Sequence, residues 1–150
     1  MFSNTWLTPL AQVLAQLGSQ HALVLHARDG LDEISIAAIT DVCEYKNGGF
    51  ESWTIDPKPL GCAHANLNGI IVENPSQSLA LAESVFSGRE GPARDMILLN
   101  AAAALYCSDR YDSIEHAMNA AATSIDHGHA GQRFFSLRDL TQRLGNIPHE

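Results

Sequence analysis

Basic side chains are scarce in this sequence of 150 residues. Nine Lys and Arg residues stand against 17 Asp and Glu residues, and the formal net charge is −8 at pH 7. The only lysines are Lys46 and Lys58. A chain with so few cations has no basic surface to attract a phosphate backbone, so we do not expect nucleic acid as a partner.

Paired cysteines and long apolar runs are also missing. Cys43, Cys62 and Cys107 form no C-x-x-C pair, and an odd, scattered set of cysteines is not a disulfide framework. We expect buried, inert thiols rather than nucleophiles at these positions. No stretch reaches the roughly 20 apolar residues of a membrane span, and residues 1–10 lack the pattern of a signal peptide. We therefore expect a cytoplasmic protein with no membrane partner.

Two halves of the chain differ in composition. Residues 1–72 carry most of the β-branched residues and turn signals, whereas residues 74–145 are rich in Ala and Leu at helical spacing. Asn74-Pro75, a helix N-cap followed by a first-turn proline, marks the boundary. Because 150 residues are too few for two ordinary domains, we expect both halves to share one core.

The first half predicts a helix, a buried strand and a hairpin. The helix has apolar residues at helical spacing: Leu10, Val13, Leu14 and Leu17. His21 to Ala27 (HALVLHA) has the pattern of a strand buried on both faces of a parallel sheet, and Met1-Phe2 would be the remnant of the strand before the helix. The glycines after Asn47 permit the tight turn of an antiparallel hairpin. The expected class is α/β, with a mixed, largely parallel sheet and a carboxy-terminal helical layer.

One of the helices predicted in the second half is unusually apolar. The segment MILLNAAAAL at residues 96–105 is apolar on every side except at Asn100, so this helix should lie in the centre of the helical layer. A buried amide must find hydrogen-bond partners. Asn100 could therefore tie its helix to a loop, or it could contact a substrate.

The densest polar segment, RDGLDE at residues 28–33, directly follows the predicted HALVLHA strand. Ligands of open α/β sheets bind beyond the carboxyl ends of the strands. Gly30 allows the backbone to turn, so Asp32 and Glu33 could serve one site. Two carboxylates with room for waters suit Mg²⁺ that also contacts substrate phosphates. The same residues could instead form a turn followed by a solvated, acidic helix start.

A zinc site is a weaker hypothesis. Its ligands could be Cys62 and His64, or His127 and His129. Structural zinc requires four ligands, which a C-x-x-C or H-x₃-H pair normally anchors, and the sequence has neither pair. We therefore expect surface histidines rather than zinc ligands.

Four separated segments resemble the carboxy-terminal part of the anthranilate phosphoribosyltransferase family: HALVLHARDGLDEIS, TIDPKPLG, FSGREGPARDMILLNAAAALY and SIDHGHA. They occur in the order of the family and span nearly the whole chain. The resemblance implies a fold similar to that of pyrimidine nucleoside phosphorylases. It also implies a pentosyltransferase of tryptophan biosynthesis, which joins anthranilate to phosphoribosyl pyrophosphate with Mg²⁺ and releases pyrophosphate. The acidic pair of the DGLDE motif binds one Mg²⁺ in the family, which implies the same role for Asp32 and Glu33.

The sequence departs from the family at its amino-terminal side. It has no Gly-Thr-Gly-Gly-Asp loop for the pyrophosphate, no Lys-His-Gly-Asn segment and no counterpart of the arginine that meets anthranilate. Residues 1–150 would therefore be a carboxy-terminal α/β domain, a fragment without the helical domain and the phosphate loop. We expect this chain to be inactive unless an amino-terminal partner chain complements it. A non-catalytic remnant or interaction module of the same fold is the alternative, and an uncovered sheet edge would favour a homo-oligomer.

Overall fold

The protein combines a small sheet with helices packed on both of its faces. The computed structural model describes residues 3–145. In chain order the elements are α1 (Leu7–Gln16), β1 (His21–Ala27), β2 (Thr40–Lys46), β3 (Gly49–Ile55), α2 (Pro75–Phe86), α3 (Pro92–Tyr106), α4 (Ile114–Asp126) and α5 (His129–Gly145). The expected α/β class is confirmed. No helix within this range is long and apolar enough to cross a membrane.

Local sequence signals set the ends of several elements. Asn74 caps α2 and Ser113 caps α4, because each side chain accepts a backbone N–H from the first turn of its helix. Asn47 and Gly48 have φ angles of +52° and +80° and form the two-residue turn between β2 and β3. The residue types alone predicted the Asn74 cap and the turn after Asn47.

The sheet is antiparallel throughout the described residues, with strand order β1-β2-β3. Leu25 lies opposite Val42, and Val42 lies opposite Trp53. The largely parallel sheet that we predicted is therefore not found within residues 3–145, and the predicted strand remnant Met1-Phe2 lies outside them. The apolar run of β1 reflects cover on both faces, by α1 on one side and α3 on the other. A strand covered on both faces has this pattern whatever its direction.

The main core lies between the sheet and α3. Val42 of β2 and Leu99 of α3 are buried there, together with Ile34 from the connection between β1 and β2. The other side of α3 packs on the remaining helices through Leu98, which belongs to the same buried cluster as Ile125 of α4. The central position predicted for α3 is thus confirmed, because its residues belong to both the main core and the cluster with α4.

One flank of α1 is apolar but exposed. Leu7 and Ala11 face the sheet and are buried, whereas Leu10, Val13 and Leu17 are 38%, 47% and 78% exposed. The apolar spacing predicted the helix, but three of the four apolar residues that define this spacing are exposed rather than buried. The small side chain of Ala11, fully buried, makes the close approach to the sheet instead.

A buried carboxylate joins the sheet to the end of α3. Glu44 of β2 is 7% exposed and accepts hydrogen bonds of 2.8 Å from Trp53 Nε1 and from the Tyr106 hydroxyl. His21 Nε2 lies 2.8 Å from the same carboxylate, and His21 Nδ1 lies 2.8 Å from Asp109. Burial and the bond to Glu44 raise the pKa of the Tyr106 hydroxyl, which keeps it a donor at neutral pH. A satisfied network of this kind fixes one arrangement of sheet and helix.

Replacing Tyr106 by Phe tests this network. We expect Tyr106→Phe to lower the free energy of unfolding by about 1.5–3 kcal/mol, because a buried carboxylate loses one of its donors. Urea unfolding followed by circular dichroism measures the loss. Tyr111→Phe is the matched control, since its hydroxyl has no hydrogen bond to the described residues. Equal losses in the two variants would contradict the role of the network.

Candidate functional site

Residues 28–39 form the connection from β1 to β2, here termed the acidic loop. The Arg28 N–H donates to the Ile39 carbonyl at 3.0 Å and closes the neck of this loop. The loop therefore starts at the carboxyl end of β1, as the sequence predicted, and it carries Asp32 and Glu33.

Asp29 organises the first turn of the acidic loop. Its Oδ1 accepts the N–H of Leu31 at 3.2 Å, and its Oδ2 accepts the hydroxyl of Ser35 at 2.6 Å. Ser35 is fully buried, and its N–H donates to Thr40 Oγ1 at 3.2 Å. Gly30 has a φ of +90°, a conformation that favours glycine. The first acid of the DGLDE motif thus stabilises the loop itself.

Two contacts fasten the acidic loop to the α3 side of the molecule. The Asn100 side chain accepts the N–H of Ile34 at 2.9 Å and donates to the carbonyl of Ile34 at 3.0 Å. His64 makes the second contact, since its N–H donates to the Ile36 carbonyl and its Nε2 lies beside Asp95 Oδ2 of α3, both at 2.7 Å. Of the two roles predicted for Asn100, the structure shows the tie between helix and loop.

Asp32 and Glu33 are exposed, and neither carboxylate has a partner among the described residues. The residue that follows them, Ile34, is fully buried and anchors this part of the loop in the core. Two free carboxylates with space for waters are a donor set that fits Mg²⁺ shared with phosphate oxygens. No three His, Cys, Asp or Glu side chains between residues 3 and 145 form a metal site by themselves. An ion held here would therefore need further oxygen ligands from a substrate or from water.

An ion pair borders the neck of the acidic loop. Arg28 Nη2 lies 2.7 Å from Asp41 Oδ1, and Arg28 Nε donates to both Asp41 oxygens at 3.1 and 3.2 Å. These hydrogen bonds hold the pKa of the Asp41 carboxyl below its usual range. The arginine of the RDGLDE segment is thus paired with Asp41 of β2.

The histidines and cysteines considered for zinc belong to no group of three possible ligands within residues 3–145. Cys62 is buried, donates to the Pro57 carbonyl at 3.6 Å and has a thiol pKa raised by burial. His127 and His129 meet edge to face with ring centroids 6.0 Å apart. Burial also raises the pKa of the Cys107 thiol, so little reactive thiolate is present at neutral pH.

Sequence reasoning missed several residues that shape the acidic loop. Asp29 could have been recognised, because an Asp-Gly pair predicts a turn in which the carboxylate binds a following N–H. Asp41, His64 and Asp95 gave no comparable signal. Arg28 and Asp41 are 13 residues apart, and His64 and Asp95 are 31 apart, so only the folded chain pairs them.

Comparison with known proteins assigns the chain to a family. Residues 1–131 match the glycosyl transferase family, a/b domain. The chain belongs to this family. It is 51% identical over 144 residues to the anthranilate phosphoribosyltransferase of Legionella pneumophila (strain Lens), and 45% identical over 141 residues to that of Thioalkalivibrio sulfidiphilus. These matches cover 96% and 94% of this chain but 42% of each relative. This member of the glycosyl transferase family therefore spans less than half the length of those curated relatives.

Solved structures share the fold of this glycosyl transferase domain. The anthranilate phosphoribosyltransferase of Thermus thermophilus has a TM-score of 0.78 at 29% identity, and the match covers 87% of this chain and 38% of that one. The Saccharomyces cerevisiae enzyme, in complex with phosphoribosyl pyrophosphate and Mg, has a TM-score of 0.77 at 22% identity with the same coverage. The resemblance described from the sequence is thus confirmed.

Removing the Asp29 carboxylate tests whether it organises the acidic loop. We expect Asp29→Ala to speed hydrogen exchange of the Leu31 amide about tenfold, because one hydrogen bond of about 1–1.5 kcal/mol is lost. Exchange measured by NMR detects this change. Asp56→Ala is the matched control, since Asp56 accepts the N–H of Lys58 in a different loop. Unchanged exchange at Leu31 in Asp29→Ala would show that the turn does not depend on this carboxylate.

Proposed function

We propose that this chain is the carboxy-terminal α/β domain of an anthranilate phosphoribosyltransferase, and that Asp32 and Glu33 bind the Mg²⁺ that accompanies phosphoribosyl pyrophosphate. The observation that carries the proposal is the position of the DGLDE acids. They are exposed, unpaired with any residue in the described part of the chain, and next to the anchored residue Ile34. The 51% identity to the Legionella pneumophila transferase supports the reaction assigned.

The reaction explains why a metal-binding pair is needed. A bond forms between the anthranilate nitrogen and C1′ of the ribose, the bond from C1′ to the pyrophosphate oxygen breaks, and the nitrogen releases a proton. Negative charge builds up on the leaving pyrophosphate and positive charge on the sugar. Bound Mg²⁺ would supply positive charge for the leaving group. Asp32 and Glu33 would hold the ion and attack nothing, so we assign no catalytic nucleophile or base to this chain.

The amino-terminal part of the transferase would supply the other substrate contacts. The chain spans 42% of its Legionella relative and has no glycine-rich phosphate loop. The exposed flank of α1, with Leu10, Val13 and Leu17, offers an apolar surface against which such a part could pack. We propose that the two parts work together in the cytoplasm, whether joined in one chain or as partners, where the three free cysteines would stay reduced.

A hybrid transferase tests the proposed function. In it, the matching 144 residues of this chain replace those of the Legionella pneumophila enzyme. We expect the hybrid to consume anthranilate, seen as a loss of anthranilate fluorescence, in the presence of phosphoribosyl pyrophosphate and Mg²⁺. The double variant Asp32→Ala, Glu33→Ala should lower kcat/KM about 100-fold, because charge on the leaving group loses its counterion.

The control variant removes two other exposed carboxylates, Glu73 and Glu90. We expect Glu73→Ala, Glu90→Ala to keep kcat/KM within about twofold, since isolated surface charges contribute little. A folded hybrid without any activity would favour the alternative, a non-catalytic remnant or interaction module of the same fold. An active hybrid that is insensitive to loss of Asp32 and Glu33 would contradict the metal assignment alone.

A further inference from the structure

The side-chain amide of Asn100 forms hydrogen bonds through both its oxygen and its nitrogen at the point where α3 meets the acidic loop. Its oxygen accepts the N–H of Ile34 at 2.9 Å, and its nitrogen donates to the carbonyls of Ile34 and Met96, both at 3.0 Å. The bond to Met96 holds the amide on its own helix. The backbone of Ile34 cannot shift relative to α3 without breaking two hydrogen bonds in a half-buried site.

The two acids lie between two fixed points of the loop. On one side Leu31 is tied to Asp29 by its N–H. On the other side Ile34 is tied to Asn100 through its N–H and carbonyl, and its side chain is fully buried in the main core. Asp32 and Glu33 are the only residues between Leu31 and Ile34. Their backbone is therefore restrained at both ends, while their carboxylates are free to bind a ligand.

We infer that Asn100 is a positioning residue for the metal-binding pair Asp32 and Glu33. The inference rests on the proposed function. Two adjacent side chains bind one ion only when the backbone directs both of them toward it, and a loop that is already ordered loses less conformational freedom on binding. Partners of this kind, which orient ligands without touching the metal, strongly affect metal affinity. The Asn100 amide would therefore set the affinity for the metal from a distance.

Two substitutions separate this role from packing. Asn100→Ala removes every hydrogen bond that the side chain makes to Ile34 and Met96. Asn100→Asp keeps the size of the side chain and an acceptor for the Ile34 N–H, but it loses the donor that reaches the carbonyls of Ile34 and Met96. The added negative charge would by itself strengthen cation binding. Weaker metal binding in Asn100→Asp would therefore report altered geometry rather than altered charge.

The experiment uses the complete 150-residue chain with Mn²⁺ as a paramagnetic probe. NMR gives the Mn²⁺ concentration at which the amide signals of residues 31–34 are half broadened. We expect Asn100→Ala and Asn100→Asp to need about tenfold more Mn²⁺ than the unchanged chain, in line with other residues that orient metal ligands. Excess Mn²⁺ should restore the broadening in both variants.

Leu98→Ala is the matched control on the same helix. Leu98 is 6% exposed and shares a buried cluster with Ala121 and Ile125 of α4, which differs from the core that contains Ile34. We expect Leu98→Ala to lower the urea midpoint without changing the Mn²⁺ concentration. An equal shift in Leu98→Ala would mean that general loosening of α3 explains the result, and it would overturn the positioning role.

The remaining outcomes separate the inference from the proposed function. The double variant Asp32→Ala, Glu33→Ala should abolish the broadening at residues 31–34. If it does so while the Asn100 variants bind Mn²⁺ like the unchanged chain, the positioning role is wrong and the metal assignment stands. If the unchanged chain shows no broadening there even with phosphoribosyl pyrophosphate present, both are wrong. Asn100→Asp carries the test if Asn100→Ala does not fold, and unfolding of both would show a structural role only.

Discussion

The paired hydrogen bonds between the Asn100 side chain and the backbone of Ile34 connect the core of this protein to its candidate site. An amide in an otherwise apolar helix is unfavourable unless its polar atoms find partners. Ile34 supplies these partners, and its own side chain is fully buried between the sheet and α3. The stability of the core and the placement of the acidic loop therefore depend on the same contact.

The candidate site is incomplete by its chemistry, and this agrees with the proposal that the chain is one domain of a larger enzyme. Asp32 and Glu33 offer two exposed carboxylates, but the described residues form no group of three possible metal ligands around them. A divalent ion bound by two carboxylates keeps positions open for water and for phosphate oxygens. The net charge of −8 leaves the chain itself poorly suited to hold a pyrophosphate without a cation. The metal and the substrate would bind this domain together, and the remaining substrate contacts would come from the proposed amino-terminal part.

Short-range sequence signals predicted the helix ends and the tight turn. They did not predict which distant segments pair or how the paired strands are oriented. Asn74 marked a helix start and the glycines after Asn47 marked a tight turn, because side-chain capping and backbone preferences act over a few residues. Whether neighbouring strands run parallel or antiparallel depends on pairing between distant segments, and an apolar strand such as β1 is compatible with either arrangement. The same limit applies to the site. The DGLDE motif indicated Asp32 and Glu33, whereas the contact of His64 with Asp95 exists only in the folded chain.

Anomalous diffraction would show directly whether Asp32 and Glu33 bind the metal ion. Crystals of this chain would be grown with Mn²⁺ and phosphoribosyl pyrophosphate, and the manganese would be located from its anomalous signal. We expect a peak at bonding distance from the carboxylates of both Asp32 and Glu33, with the Asn100 amide still bound to Ile34. A manganese peak elsewhere on the molecule, with both carboxylates directed into bulk solvent, would contradict it.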